Sequence, residues 1–133
     1  MPIATQVLRD SLAVTAAVAR AWFEDRALIK TRDQFDKRGG LADGGTGAVY
    51  AYFTAEGKAV YVGQTGRKVK ARLHDVTSPH KKKVWWRSWA YMRFLPLADG
   101  VDRLVLESLL IAGYEPTANE KPNAKSISDL FPL

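Results

Sequence analysis

The stretch 48-AVYAYFTAEGKAVYVG-63 constrains the fold of this chain more than any other part of its sequence. Two runs of β-branched and aromatic residues flank Glu56-Gly57, a natural turn, so the segment predicts an antiparallel hairpin. Strand alternation puts Tyr50 and Tyr52 on one face and Val49, Ala51 and Phe53 on the other. With a two-residue turn, Tyr61 falls directly opposite Tyr52, and Tyr50 lies one diagonal step away. The valines and Phe53 already supply the apolar face that a sheet needs. The phenols on the other face need a separate explanation.

Around this hairpin the pattern is that of one small α+β domain. Leu8, Leu12, Val18 and Trp22 recur near helical spacing, predicting a helix from Ile3 to about Lys30, or two with a break near Glu24–Arg26. Residues 1–40 read as an N-terminal helical extension, and five glycines in 38-RGGLADGGTG-47 join it to a core over 46–133. Gly63 and Gly66 bracket a connection into a short basic helix, about Lys68 to Val76. A third strand is expected from Arg87 to Leu95, with Trp89, Tyr91 and Arg93 on one face. Asp99 or Asp102 can start the last helix, and Gly113 stands where it would end. The expected architecture is a small three-stranded sheet, mixed or antiparallel, flanked by helices.

Charge narrows the class of partner. The chain has a net charge of +6, and residues 67–93 carry nine basic side chains against Asp75 alone. Such a concentration suits a polyanion, through phosphate contacts and counterion release. Lys68, Lys81, Lys82, Lys83 and Arg87 are the expected phosphate contacts, and Trp85 stands among them as a surface for stacking bases. A solvated lysine-rich loop beside core aromatics is the plainer alternative. The absence of cysteine excludes a disulfide framework, a thiolate nucleophile and a thiolate zinc site. His74 and His80, six apart, do not make a metal site by themselves. The run 11-SLAVTAAVA-19 reads as part of a cytoplasmic helix rather than a leader peptide.

One residue is out of place in its surroundings. Within 104-LVLESLLIAGY-114, Glu107 is the only charge, with Leu104, Leu106, Leu110 and Ile111 on neighbouring turns. Either it shares a narrow exposed stripe with Arg103 and Ser108, or it points into a cleft and binds a metal ion that compensates its desolvation.

Taken in order, these features resemble the GIY-YIG nuclease family. Ala48-Val49-Tyr50 stands for the first signature tripeptide and Tyr61-Val62-Gly63 for the second. Arg72 in 70-KARL-73 matches the arginine of the following helix, Glu107 the metal-binding glutamate, and Asn119 after Pro116 the asparagine near the end. The resemblance covers residues 46–123. Ala48 replaces the first glycine, although Gly47 is adjacent. Val76 occupies the position where a helper histidine or tyrosine often stands, leaving Tyr52, His74 and Lys70 as its alternatives.

The resemblance implies a cytoplasmic endonuclease, bacterial or phage-encoded, that hydrolyses DNA phosphodiesters with one Mg2+ or Mn2+. It implies that Tyr50 or Tyr61 positions and deprotonates the water, that Arg72 stabilises charge on the phosphoryl oxygens, and that Glu107 holds the metal. Gly63 would allow close backbone approach, and Asn119 would brace the site. A nucleic-acid-binding module that uses residues 67–93 without catalysis is the alternative. Residues 1–40 are expected to serve self-association or a protein partner.

Overall fold

Every residue of β2 (Thr46–Phe53) after Thr46 is buried, which makes this strand the centre of the molecule. The computed structural model describes residues 3–37, 46–68 and 79–119. Its other elements are α1 (Ile3–Arg26), β1 (Leu28–Thr31), α2 (Arg32–Asp36), β3 (Ala59–Lys68), β4 (Tyr91–Pro96) and α3 (Gly100–Tyr114). Short 3-10 turns lie at Pro79–Lys82 and Val84–Arg87. The fold is α+β, with a four-stranded antiparallel sheet in the order β1-β4-β2-β3.

The fourth strand comes from the region expected to be wholly helical. Leu28–Thr31 pairs with Tyr91–Phe94 of β4, and Thr31 then caps α2 through a reciprocal capping box with Gln34. A four-residue strand directly after a helix is too short to show a period of its own. Phe35 of α2 is buried with Tyr50, Tyr52 and Trp89, so residues from this region belong to the core.

The sheet separates two apolar clusters. Val49, Ala51, Phe53 and Val62 pack with Phe23 of α1 and with Leu106 and Leu110 of α3. Ala48, Tyr50, Tyr52, Met92 and Phe94 pack on the opposite face with Phe35 and Trp89. The third predicted strand is therefore shorter than expected. Arg87 and Trp89 precede β4, and Trp89 faces away from Tyr91 and Arg93, whose side chains lie toward α1. β3 is longer than expected, because Gly63 and Gly66 sit within the strand rather than bracketing a turn. The basic helix expected over 68–76 falls almost wholly outside the described residues.

Helix α1 buries a different stripe from the one its large residues suggested. Ala16 and Phe23 are buried, with Leu12 and Ala19 half-buried, whereas Leu8, Val18 and Trp22 are exposed. The reason is the close approach of α3. A Cβ placed on Gly113 would lie 3.1 Å from the Ala16 carbonyl oxygen, so small residues face each other where the helices cross. Gly113 thus serves packing rather than termination. The helix runs on to Tyr114, and Glu115 takes the left-handed cap at φ 49°. Asp99 opens α3 by accepting from the Val101 and Asp102 amides. Among the described residues no helix is long and apolar enough to cross a membrane.

A second tie joins the two long helices. The Tyr114 hydroxyl donates to Glu24 at 2.6 Å, and Arg20 lies over the Tyr114 ring. Burial, and then the Glu24 carboxylate, push the Tyr114 phenol well above its ordinary value.

Phe23→Ala should cost about 3–5 kcal/mol in urea unfolding. Val18→Ser should stay within about 0.5 kcal/mol of wild type, because that side chain faces solvent. The raised Tyr114 phenol also favours the folded state below the ordinary phenol pKa of 10.0, and this contribution is lost as pH rises beyond it. Thermal melts from pH 9 upward should therefore fall more steeply for wild type than for Tyr114→Phe.

Candidate functional site

The hairpin places its three phenols together. Tyr52 is directly opposite Tyr61, and Tyr50 is opposite Gly63. The turn differs from the two-residue form, since Thr54 and Lys58 close a longer loop through Thr54 N–H to Lys58 O. A bulge between Tyr52 and Phe53 compensates, shifting the pairing so that Tyr52 still meets Tyr61.

Gly63 has a steric role within the hairpin. A Cβ there would sit 2.7 Å from the Tyr50 hydroxyl oxygen and 2.9 Å from a Tyr61 ring carbon. The glycine provides the space into which the Tyr50 ring lies across the neighbouring strand. Ring centroids of Tyr50 and Tyr61 are 6.3 Å apart.

Beneath them lies a residue that sequence reasoning did not assign to the site. His80 is buried, and its Nε2 is 2.6 Å from the Tyr50 hydroxyl oxygen. Its ring centroid is 5.0 Å from that of Tyr61 and 6.4 Å from that of Tyr52. The two partners of the bond are 30 positions apart, and a lone histidine between Pro79 and Lys81 carries no spacing signal. Only the packed fold could reveal it.

The segment after His80 is held firmly. Lys83 N–H donates to His80 O, Trp86 N–H to Lys83 O, and Ser88 N–H and Oγ–H to Trp85 O. Trp85 stacks on Tyr61 at 5.0 Å and 9°. Trp86 and Trp89 meet Phe35 edge-on. Arg32 of α2 donates to the carbonyls of Trp86 and Trp89 while its guanidinium lies over both rings. The tryptophans thus serve mainly as packing: Trp89 is buried, and Trp85 and Trp86 are half-buried.

Among the basic residues, Lys82, Lys83 and Arg87 are exposed and Lys81 is half-buried near the Phe35 ring. Arg93 turns away to donate to the Glu24 carbonyl. Lys68 ends β3 opposite Thr46. Lys70, Arg72, His74 and Val76 lie outside the described residues.

Asn119 braces the hairpin directly. Its Oδ1 accepts from Val62 N–H at 3.0 Å, and its Nδ2 donates to Val62 O at 2.9 Å. Thr117 and Ala118 donate to the carbonyls of Ala59 and Val60, so this segment covers the open edge of β3 next to Tyr61 and Gly63.

Glu107 does not lie on an exposed stripe. It is 8% exposed, as Ser108 is also buried, while Leu104 and Val105 of the same helix face solvent. Arg103 is engaged elsewhere, donating to Leu97 O, Ala98 O and Gln64 Oε1. Yet α3 packs on the opposite face of the sheet from the phenols. The helix meets the sheet at β3 and β2, so the structure does not bring Glu107 and the phenols onto one face of the sheet. Among the described residues no three His, Asp or Glu side chains gather to hold a metal. One buried carboxylate suits a hard cation that takes its remaining oxygens from water and a phosphate, rather than a resident ion.

Comparison of the chain with protein families, with curated proteins and with solved structures finds no match in any of the three.

The geometry yields a test of the hairpin face. Gly63→Ala should lower stability by about 1–3 kcal/mol through overpacking. Tyr50→Phe added to it should recover part of that loss, because the nearest clashing atom is removed. Urea unfolding of the two single variants and the double would reveal this non-additivity.

Proposed function

We propose that this chain is a metal-dependent DNA endonuclease of the cytoplasm, hydrolysing phosphodiesters in the manner of the GIY-YIG family. The observation that supports it most is the gathering of Tyr50, Tyr61 and His80. A buried phenol bonded to imidazole at 2.6 Å stands beside a second, half-buried phenol.

The chemistry follows from these residue types. A phenol with its ordinary pKa near ~10 is a weak base at neutral pH, whereas an imidazole near ~6.5 accepts protons readily. His80 can take the Tyr50 proton across their bond, and Tyr50 can then take one from an adjacent water. Tyr61, the more accessible phenol, orients that water. His80 thereby offers the helper group that Val76 does not. Arg72, whose role rests on the family resemblance, would meet the charge on the phosphoryl oxygens. Glu107 would hold Mg2+ or Mn2+, which supplies Lewis-acid stabilisation of the leaving oxygen. Lys82, Lys83 and Arg87 would contact flanking phosphates.

A second reading has its own support. Tyr50 is 1% exposed, and Glu107 belongs to the helix behind the sheet. Both facts suit a DNA-binding module without turnover.

Incubation with duplex and single-stranded oligonucleotides, with and without Mg2+ or Mn2+, separates the two. The nuclease reading expects metal-dependent cleavage that falls about 10²-fold or more in Tyr61→Phe and in His80→Ala. It also expects loss of cleavage in Glu107→Gln. Binding with no cleavage under any metal overturns it in favour of the binding module, and cleavage undiminished in Glu107→Gln overturns the metal mechanism built on Glu107.

A further inference from the structure

Val84 is 93% exposed, the most exposed large apolar side chain among the described residues. Folding gives no account of it, since its surface stays almost entirely in water. A single surface valine needs no explanation. This one has a setting that does.

It sits in the sequence 81-KKKVWWR-87, where Lys82, Lys83 and Arg87 are exposed beside it. The turn that carries it is fixed at both ends. Lys83 on its N-terminal side donates to His80 O, and Trp85 on its other side stacks on Tyr61. Arg32 pins Trp86 from below. A β-branched side chain has little rotamer freedom, so Val84 is a stiff apolar tip on a stiff turn. The same His80 whose carbonyl anchors this turn bonds Tyr50 through its ring. The tip and the phenols are therefore parts of one rigid unit, one residue apart at Trp85.

We propose that Val84 is a wedge that enters an unstacked base step of DNA while Lys82, Lys83 and Arg87 hold the adjoining phosphates. Apolar wedges flanked by cations enter DNA at the cost of unstacking, which is least where the stack is already broken. The preferred ligand is thus a duplex interrupted by a bulge, nick or branch, with the phosphate beside the interruption facing Tyr61. This rests on the DNA reading above and adds the class of DNA structure to it.

Binding in EDTA tests the wedge apart from catalysis. The probes are a continuous duplex, the same duplex with a two-nucleotide bulge next to 2-aminopurine, and a single strand. Wild type should bind the bulged duplex about tenfold more tightly than the continuous one, with a rise in 2-aminopurine fluorescence. Val84→Ser should abolish that preference and that rise, leaving continuous-duplex affinity unchanged. Val105→Ser, on the exposed side of α3, should alter neither. Lys82→Ala with Arg87→Ala should weaken all three DNAs and reduce the salt slope by about 1.8 for the duplexes and about 1.4 for the single strand. Equal affinity for the two duplexes, a preference retained in Val84→Ser, or no DNA binding overturns the proposal. So does Val84-dependent binding to anionic phospholipid vesicles without discrimination between the duplexes. Cleavage with Mg2+ is scored separately: a preserved preference without cleavage removes the nuclease reading alone, and cleavage without preference removes the wedge alone.

Discussion

The structure depends on the burial of β2 on both faces. A strand between two others has its backbone satisfied by its neighbours, so its side chains decide what packs above and below. Here Val49, Ala51 and Phe53 draw α1 and α3 to one side, and Tyr50 and Tyr52 draw α2 and the tryptophan turns to the other. Two bulges, one beside Gly47 at φ 82° and one before Phe53, keep β3 in step with it. A slip of one residue would turn the phenols toward the helical face and the valines toward α2 and the tryptophan turns.

That constraint explains why the phenol side is built from aromatic rings rather than aliphatic packing. Tyr52 contacts Tyr50, Trp85, Trp86, Trp89 and His80 within one cluster. Edge-to-face and offset contacts of this kind add about 0.5–1.5 kcal/mol per pair beyond area burial. They also fix ring orientation. The Tyr50–His80 bond is a packing element of this cluster and, in the proposed function, the pair that moves a proton. On the helical side the distribution is inverted, with Glu107 buried and Leu104, Val105 and Val101 in solvent. In the proposed function this buried carboxylate holds the metal ion.

Much of the hairpin could be read directly from the chain. Alternation about Glu56-Gly57 located both strands and the shared face of Tyr50, Tyr52 and Tyr61, because side-chain direction in a strand has a period of two. The Asp99 cap was legible for a similar reason, since capping depends on the two or three residues that follow. The α1 stripe was not. Size suggested Leu8, Val18 and Trp22, but α3 approaches too closely for large side chains, and Ala16 opposite Gly113 marks the contact instead. Strand β1 escaped because pairing with β4 spans 60 to 66 positions and leaves no local period.

The amino-acid sequence by itself determined the class of the fold, the hairpin and its phenol face, the concentration of positive charge, and the anomaly of Glu107. Each is a matter of local order or of composition. Tertiary structure alone decided that His80 bonds Tyr50, that Asn119 holds Val62 through both atoms of its amide, and that Val84 is the exposed tip of a rigid turn. It also decided that the helix bearing Glu107 lies behind the sheet. These are contacts between distant positions, set by which faces close on one another, and no spacing along the chain encodes them.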